Sequence, residues 1–95
     1  MREPEPVQVI DPAHDGEATS ICLNAAGQLF ASGGTDQQVK LWALDGGKLL
    51  ATGVGHSAQI QQVCISPDDR QLISVGDDGN IFVWNIYQVG LNLES

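Results

Sequence analysis

The sequence predicts an all-β fold of short antiparallel strands, and three observations carry that prediction. Eleven glycines in 95 residues imply many tight turns, as in proteins whose strands are short and often reversed. No segment keeps a helical period over ten or more residues. The stretch from Ser32 to Trp42 reads as a strand, a turn built on Asp36 and a second strand ending in Trp, and the pattern returns forty-two residues later from Ser74 to Trp84.

Each element follows from local chemistry. Residues 1–6 are polar and proline-rich and are expected to be flexible. Val7 to Ile10 alternates briefly, so residues 7–12 are expected to form an edge strand of a neighbouring unit. Asp11 to Gly16 is turn chemistry, since Pro fixes φ and Gly permits positive φ. Thr19 to Asn24 reads as a strand with Ile21 and Leu23 on one face, and Ala25-Ala26-Gly27 turns the chain. Leu29 to Ser32 and Val39 to Leu44 flank the Asp36 turn, and Asp45-Gly46-Gly47 leads into a fourth strand from Lys48 to Val54. The cycle then restarts with Ile60 to Ser66, a Pro67-Asp68-Asp69 turn, Gln71 to Val75, the Asp77-Asp78-Gly79-Asn80 turn and Ile81 to Ile86. An Asp-Gly pair before an apolar run is a strong hairpin signal. Residues 87–95 hold enough apolar character for a last short strand or a tail.

Composition narrows the function. Twelve Asp or Glu against four Lys or Arg give a net charge of −8, and Arg2, Lys40, Lys48 and Arg70 are scattered. Binding to a phosphate backbone needs clustered cations, so no nucleic acid is expected as a partner. No run of eighteen apolar residues is present, so no membrane span is expected, and the start lacks the apolar core of a secretory signal. A cytoplasmic chain is the expectation. Cys22 and Cys64 are one repeat position, each flanked by apolar residues, and are expected to be small buried thiols. The two cysteines and two histidines do not make a compact ligand set, so neither metal nor cofactor is expected.

Residues 14–44 superimpose on residues 56–86 without a gap. Six positions are identical: His14/His56, Cys22/Cys64, Ser32/Ser74, Gly34/Gly76, Asp36/Asp78 and Trp42/Trp84. A period of forty-two with four strands per unit is the signature of a β-propeller blade. Opened by His and closed by Trp, the units resemble the WD-repeat family over residues 13–86, with Ala43 and Asn85 where the family often has Asp. The resemblance implies two four-stranded antiparallel blades, part of a β-propeller, the first at residues 13–54 and the second at 55–86, which holds three of its strands. It also implies a hydrogen-bonded structural tetrad in each blade: His14, Ser32, Asp36 and Trp42, then His56, Ser74, Asp78 and Trp84.

Ser, His and Asp together invite a hydrolase reading. Two copies at one spacing, each closed by Trp and without a Gly-x-Ser-x-Gly elbow, fit a repeated scaffold better, so no catalytic residue is expected. Asp77 to Asn80 lacks the staggered oxygens and closing Glu of a calcium loop. The expected function is a non-enzymatic protein-interaction scaffold, with Asp15, Glu17, Gln59 and Gln61 as candidate partner contacts at the blade rims. Gly33 to Trp42, Gly53-Val54-Gly55-His56-Ser57 and Ser74 to Trp84 also look like the last repeats of a ciliary member of the family, which implies axonemal or microtubule-associated partners in a cilium or flagellum. The alternatives are an adaptor in another complex, such as a ubiquitin-ligase or trafficking assembly, or part of an enzymatic propeller. Two blades alone leave apolar sheet faces uncovered, so further blades or copies of the chain are expected to cover them, and further blades are favoured.

Overall fold

The computed structural model describes residues 9–10 and 13–86. Within them the chain is all-β, with seven strands: β1 Ala18–Leu23, β2 Leu29–Gly34, β3 Gln38–Ala43, β4 Leu49–Val54, β5 Ile60–Ile65, β6 Gln71–Gly76 and β7 Ile81–Asn85. They form an antiparallel four-stranded sheet in the order β1-β2-β3-β4 and a three-stranded sheet in the order β5-β6-β7. The bounds of β5 and β6 are those of β1 and β2 shifted by the forty-two-residue repeat. Even the irregularities repeat, with one bulge between Ala18 and Ser20 and another between Ile60 and Gln62.

Cross-strand partners point to the same side of a sheet, so the registers define the faces. In the first sheet Leu23, Phe30 and Trp42 share one face with Ile21, Ser32 and Lys40. Cys22, Ala31, Leu41 and Ala51 lie on the other. In the second sheet Val63, Ser74 and Phe82 share a face with Ile65, Leu72 and Trp84, and Cys64, Ile73 and Val83 lie opposite. The core forms where the sheets meet, with Leu29, Ala31, Val39 and Leu41 from the first against Ile60, Val63, Ile65 and Leu72 from the second.

Polar groups stitch this seam along the inner strands. The Thr19 hydroxyl lies 2.6 Å from the Ile60 carbonyl, Val63 N–H donates to Ser20 Oγ at 3.1 Å, and Ile65 N–H donates to Cys22 Sγ at 3.4 Å. Further out, Asn24 Nδ2 donates to Asp69 Oδ2 at 3.1 Å.

Two expectations need correction. Cys22 is half-buried and Cys64 is exposed, both as free thiols. Cys22 faces the seam, whereas Cys64 faces the far side of the second sheet, on which nothing packs among the described residues. Ile21 and Leu23 do share a face, but it is the open one, and they are 70% and 55% exposed where their counterparts Val63 and Ile65 are 4% and 8%. Val9 and Ile10, within the expected edge strand at 7–12, belong to no strand. The rest of that strand, apart from these two residues, the N-terminal segment 1–6 and the expected last strand or tail at 87–95 lie outside the described residues.

Candidate functional site

Each sheet carries one buried polar constellation, built by the same elements. The loop before the first strand supplies a His, the second strand a Ser, the following turn an Asp and the third strand a Trp. In the first sheet His14 Nδ1 lies 2.9 Å from Asp36 Oδ1, His14 Nε2 lies 2.7 Å from Ser32 Oγ, and Trp42 Nε1 donates to the same Oγ at 2.9 Å. In the second, His56 Nδ1 lies 3.1 Å from Asp78 Oδ2, Nε2 lies 2.8 Å from Ser74 Oγ, and Trp84 Nε1 donates to that Oγ at 2.9 Å. All eight residues named from the sequence are thus brought together, four in each sheet.

One assignment of protons satisfies every member. Trp donates to Ser, Ser donates to Nε2, and Nδ1–H donates to the carboxylate. The His and Ser side chains are almost wholly enclosed, with Ser74 at 0% exposure. Such enclosure makes the pairing obligatory, because an unpaired buried group costs about 1–3 kcal/mol. A nucleophilic Ser must present its oxygen to a substrate, and here each Oγ is held between an imidazole and an indole.

The ring of each His packs closely against a glycine. A Cβ at Gly34 or Gly76 would fall 2.7 Å from the His14 or His56 Nδ1, which explains why that glycine is shared by both repeats. The carboxylates are held by backbone as well. Asp36 feels opposing forces: burial raises its pKa, but the hydrogen bond to His14 and the N–H groups of Asp15 and Gln38 outweigh it, leaving the group below its usual range. Asp78 is lowered to about 2, first by the Ser57 N–H, then by the Asn80 N–H, with His56 adding to them. Each Asp therefore ties the loop before the inner strand to the turn after the second strand.

That tie places the candidate contact residues. Asp15 and Glu17 in one loop, Gln59 in the next and Gln61 at the start of β5 are all exposed. They stand at the end of the sheets where the Asp turns also lie, as shown by Thr35 N–H bonding to the Glu17 carbonyl and Asp77 N–H to the Gln59 carbonyl. The sequence reading missed what braces them. Glu17 N–H donates to Thr35 Oγ1 at 3.0 Å, Gln59 Nε2 donates to Asp77 Oδ2 at 2.8 Å, and Gln61 Nε2 bonds to the other Asp77 oxygen. Thr35 and Asp77 are one repeat position, polar in both copies and directly before the Asp of the constellation, and that was the available signal. Also missed was Lys40, whose Nζ donates to the Ala13 carbonyl at 2.8 Å and so pins the first His loop. No group of three or more His, Cys, Asp or Glu side chains suited to a metal ion occurs among the described residues.

Comparison with known proteins matches the WD40 family model (WD domain, G-beta repeat) at residues 4–43 and 47–85. The chain is 37% identical over 79 residues to cilia- and flagella-associated protein 52 of Chlamydomonas reinhardtii, covering 83% of this chain and 13% of that protein. It is 32% identical over 78 residues to cilia- and flagella-associated protein 52 of Homo sapiens, covering 82% of this chain and 13% of the relative. It is also 40% identical over 62 residues to nuclear distribution protein PAC1 of Arthroderma benhamiae, covering 65% of this chain and 13% of the relative. The chain therefore spans a small part of the length of each of these proteins.

Proposed function

The chain belongs to the WD-repeat family, and on that premise we propose that it is a non-catalytic scaffold for protein–protein assembly. The observation that supports this most is the closed relay in each sheet. Residues that elsewhere form a hydrolytic triad are here engaged in fixing a loop to a turn. In this reading His14, Ser32, Asp36 and Trp42 and then His56, Ser74, Asp78 and Trp84 are structural. They hold two blades, at residues 13–54 and 55–86, so that the rim residues Asp15, Glu17, Gln59 and Gln61 meet a partner from braced positions. A preordered rim loses less conformational entropy on binding than a mobile one.

The finer reading places this scaffold in the axoneme of a cilium or flagellum, supported by the similarity to cilia- and flagella-associated protein 52. An acidic chain of net charge −8 is poorly suited to the acidic surface of tubulin, so the partner is another axonemal protein that offers basic residues. A direct test is co-sedimentation of the purified chain with isolated axonemes and with microtubules made from tubulin alone. Binding to axonemes and not to bare microtubules is expected. Reversing rim character with Glu17→Lys and Gln61→Lys should weaken it by about tenfold, or about 1.4 kcal/mol. No axonemal binding, or binding indifferent to the rim, would overturn the proposal. A second reading, an adaptor in another assembly, is favoured by the comparable similarity to nuclear distribution protein PAC1, and it would leave axonemes unbound.

A further inference from the structure

Inside the chain one sheet is already stacked on the next, and that seam shows what the two bare faces can take. The first sheet meets it with Cys22, Ala31 and Leu41, and the second with Val63, Ile65 and Leu72. One repeat later the first set becomes Cys64, Ile73 and Val83, on the far side of the second sheet. One repeat earlier the second set becomes Ile21, Leu23 and Phe30, on the far side of the first. Among the described residues both counterpart faces are open, with Ile21 70% and Val83 58% exposed.

The stitching has counterparts as well. Ser20 and Cys22 accept the N–H groups of Val63 and Ile65 across the seam. Gln62 and Cys64 hold the same repeat positions on the far side of the second sheet and also carry acceptors, and the N–H groups of Ile21 and Leu23 hold the positions of the donors. Bulk is exchanged between the two sides. At the seam Ile60 presses on Gly33, where a Cβ would fall 2.4 Å from Ile60 Cγ2. At the bare faces Val75 stands in the place of Gly33 and Ala18 in the place of Ile60. The large side chain has moved to the other partner, so the volume of the pair is nearly kept. The strands themselves bring no carboxylate to the contact. None of the seven strands contains Asp or Glu, and Lys40, on the open face of the first sheet, is bonded to the Ala13 carbonyl at 2.8 Å.

We propose that this chain binds copies of itself head to tail, the far face of the second sheet of one copy seated on the open face of the first sheet of the next. The association continues the seam within the chain and is independent of the axonemal reading. Because the two surfaces differ, the contact is heterologous and ends only by closing a ring. Rings of blades hold roughly four to eight. At the two described sheets per copy, closure falls at about two to four copies.

The test is sedimentation equilibrium on the purified 95-residue chain and two variants, Ile21→Asp and Val83→Asp, each altering one bare face. The unaltered chain should give one discrete mass of about two to four copies, and each variant should fall to the mass of one chain. Mixing the variants is decisive, because each still has the face its partner lost. An equimolar mixture should give a one-to-one dimer and nothing larger. Both positions are exposed in the single chain, and circular dichroism checks that the variants keep their strands. An unaltered chain that is monomeric or polydisperse would overturn the proposal. So would a folded variant that keeps the parental mass, or a mixture that stays monomeric.

Discussion

Asp36 and Asp78 occupy one repeat position, and both depart from ordinary carboxylates in the same direction. Asp78 goes further, to about 2, because the N–H groups of Ser57 and Asn80 are aimed at it before His56 contributes. A carboxylate whose folded pKa lies below its unfolded one favours the folded state above the unfolded value. That contribution is lost as pH falls through the folded pKa. An Asp in an unfolded chain titrates near about 3.9, so the window runs from about pH 4 down to about pH 2. Thermal melts across this range should show a midpoint that is level above the window and falls within it, with a shallower fall in Asp78→Asn. Equal slopes in the two proteins would mean that Asp78 is not held by those N–H groups. Gln37 offers a test of opposite sign. It sits at φ 70, where its repeat counterpart Gly79 sits at φ 80. A side chain in that region costs roughly 1–2 kcal/mol. Gln37→Gly should therefore raise the urea midpoint by the equivalent of about 1 kcal/mol, less what the freer unfolded chain takes back. An unchanged or lowered midpoint would mean the turn carries no such strain.

The hairpins around Asp36 and Asp78 could be read from the sequence because a turn is settled by a handful of adjacent residues. The four members of each relay were named through the resemblance to the WD-repeat family, and the repeated spacing showed only that the same four positions return. What could not be read was which face of a strand meets another sheet. Ile21 and Val63 belong to one residue class and one repeat position, yet one is bare and the other is buried. The difference lies in what is stacked on them, which no local pattern in β1 or β5 records. Cys22 and Cys64 misled for the same cause. Gly33 shows the converse, a residue with no chemistry of its own whose meaning is given by the opposing sheet. A methyl group there would meet Ile60 Cγ2 at 2.4 Å and Val63 Cγ1 at 3.2 Å, pushing β2 away from β5. Gly33→Ala should cost about 1–3 kcal/mol through overpacking. Pairing it with Ile60→Ala, which removes Cγ2, should cost less than the sum of the two single changes. If the single change is neutral in urea melts, the two strands do not approach as closely as this contact requires.

At the scale of the whole molecule the acids and the apolar residues are separated by element. The seven strands of the described residues are free of Asp and Glu, so they meet through apolar surface with no carboxylate of their own between them. The core is divided between the sheets, with Leu29, Ala31, Val39 and Leu41 on one side and Ile60, Val63, Ile65 and Leu72 on the other. Neither sheet has a core without its neighbour, and each alone lies near the length of about 40 residues below which chains rarely fold unaided. The sheets should therefore unfold as one unit. The two tryptophans report on this separately, Trp42 from the first sheet and Trp84 from the second. Trp84→Phe leaves fluorescence from the first sheet alone, and Trp42→Phe leaves it from the second alone. Each replacement also removes one indole donor to a Ser hydroxyl, so each variant's fluorescence transition must be compared with its own far-UV circular dichroism transition. The two transitions should coincide in both proteins. Adding Leu72→Ala should then lower stability by about 2–5 kcal/mol as seen by either tryptophan, although Leu72 belongs to the second sheet only. A Trp42 signal that ignores Leu72→Ala would show the first sheet standing on its own, and the shared core would no longer explain what holds this chain together.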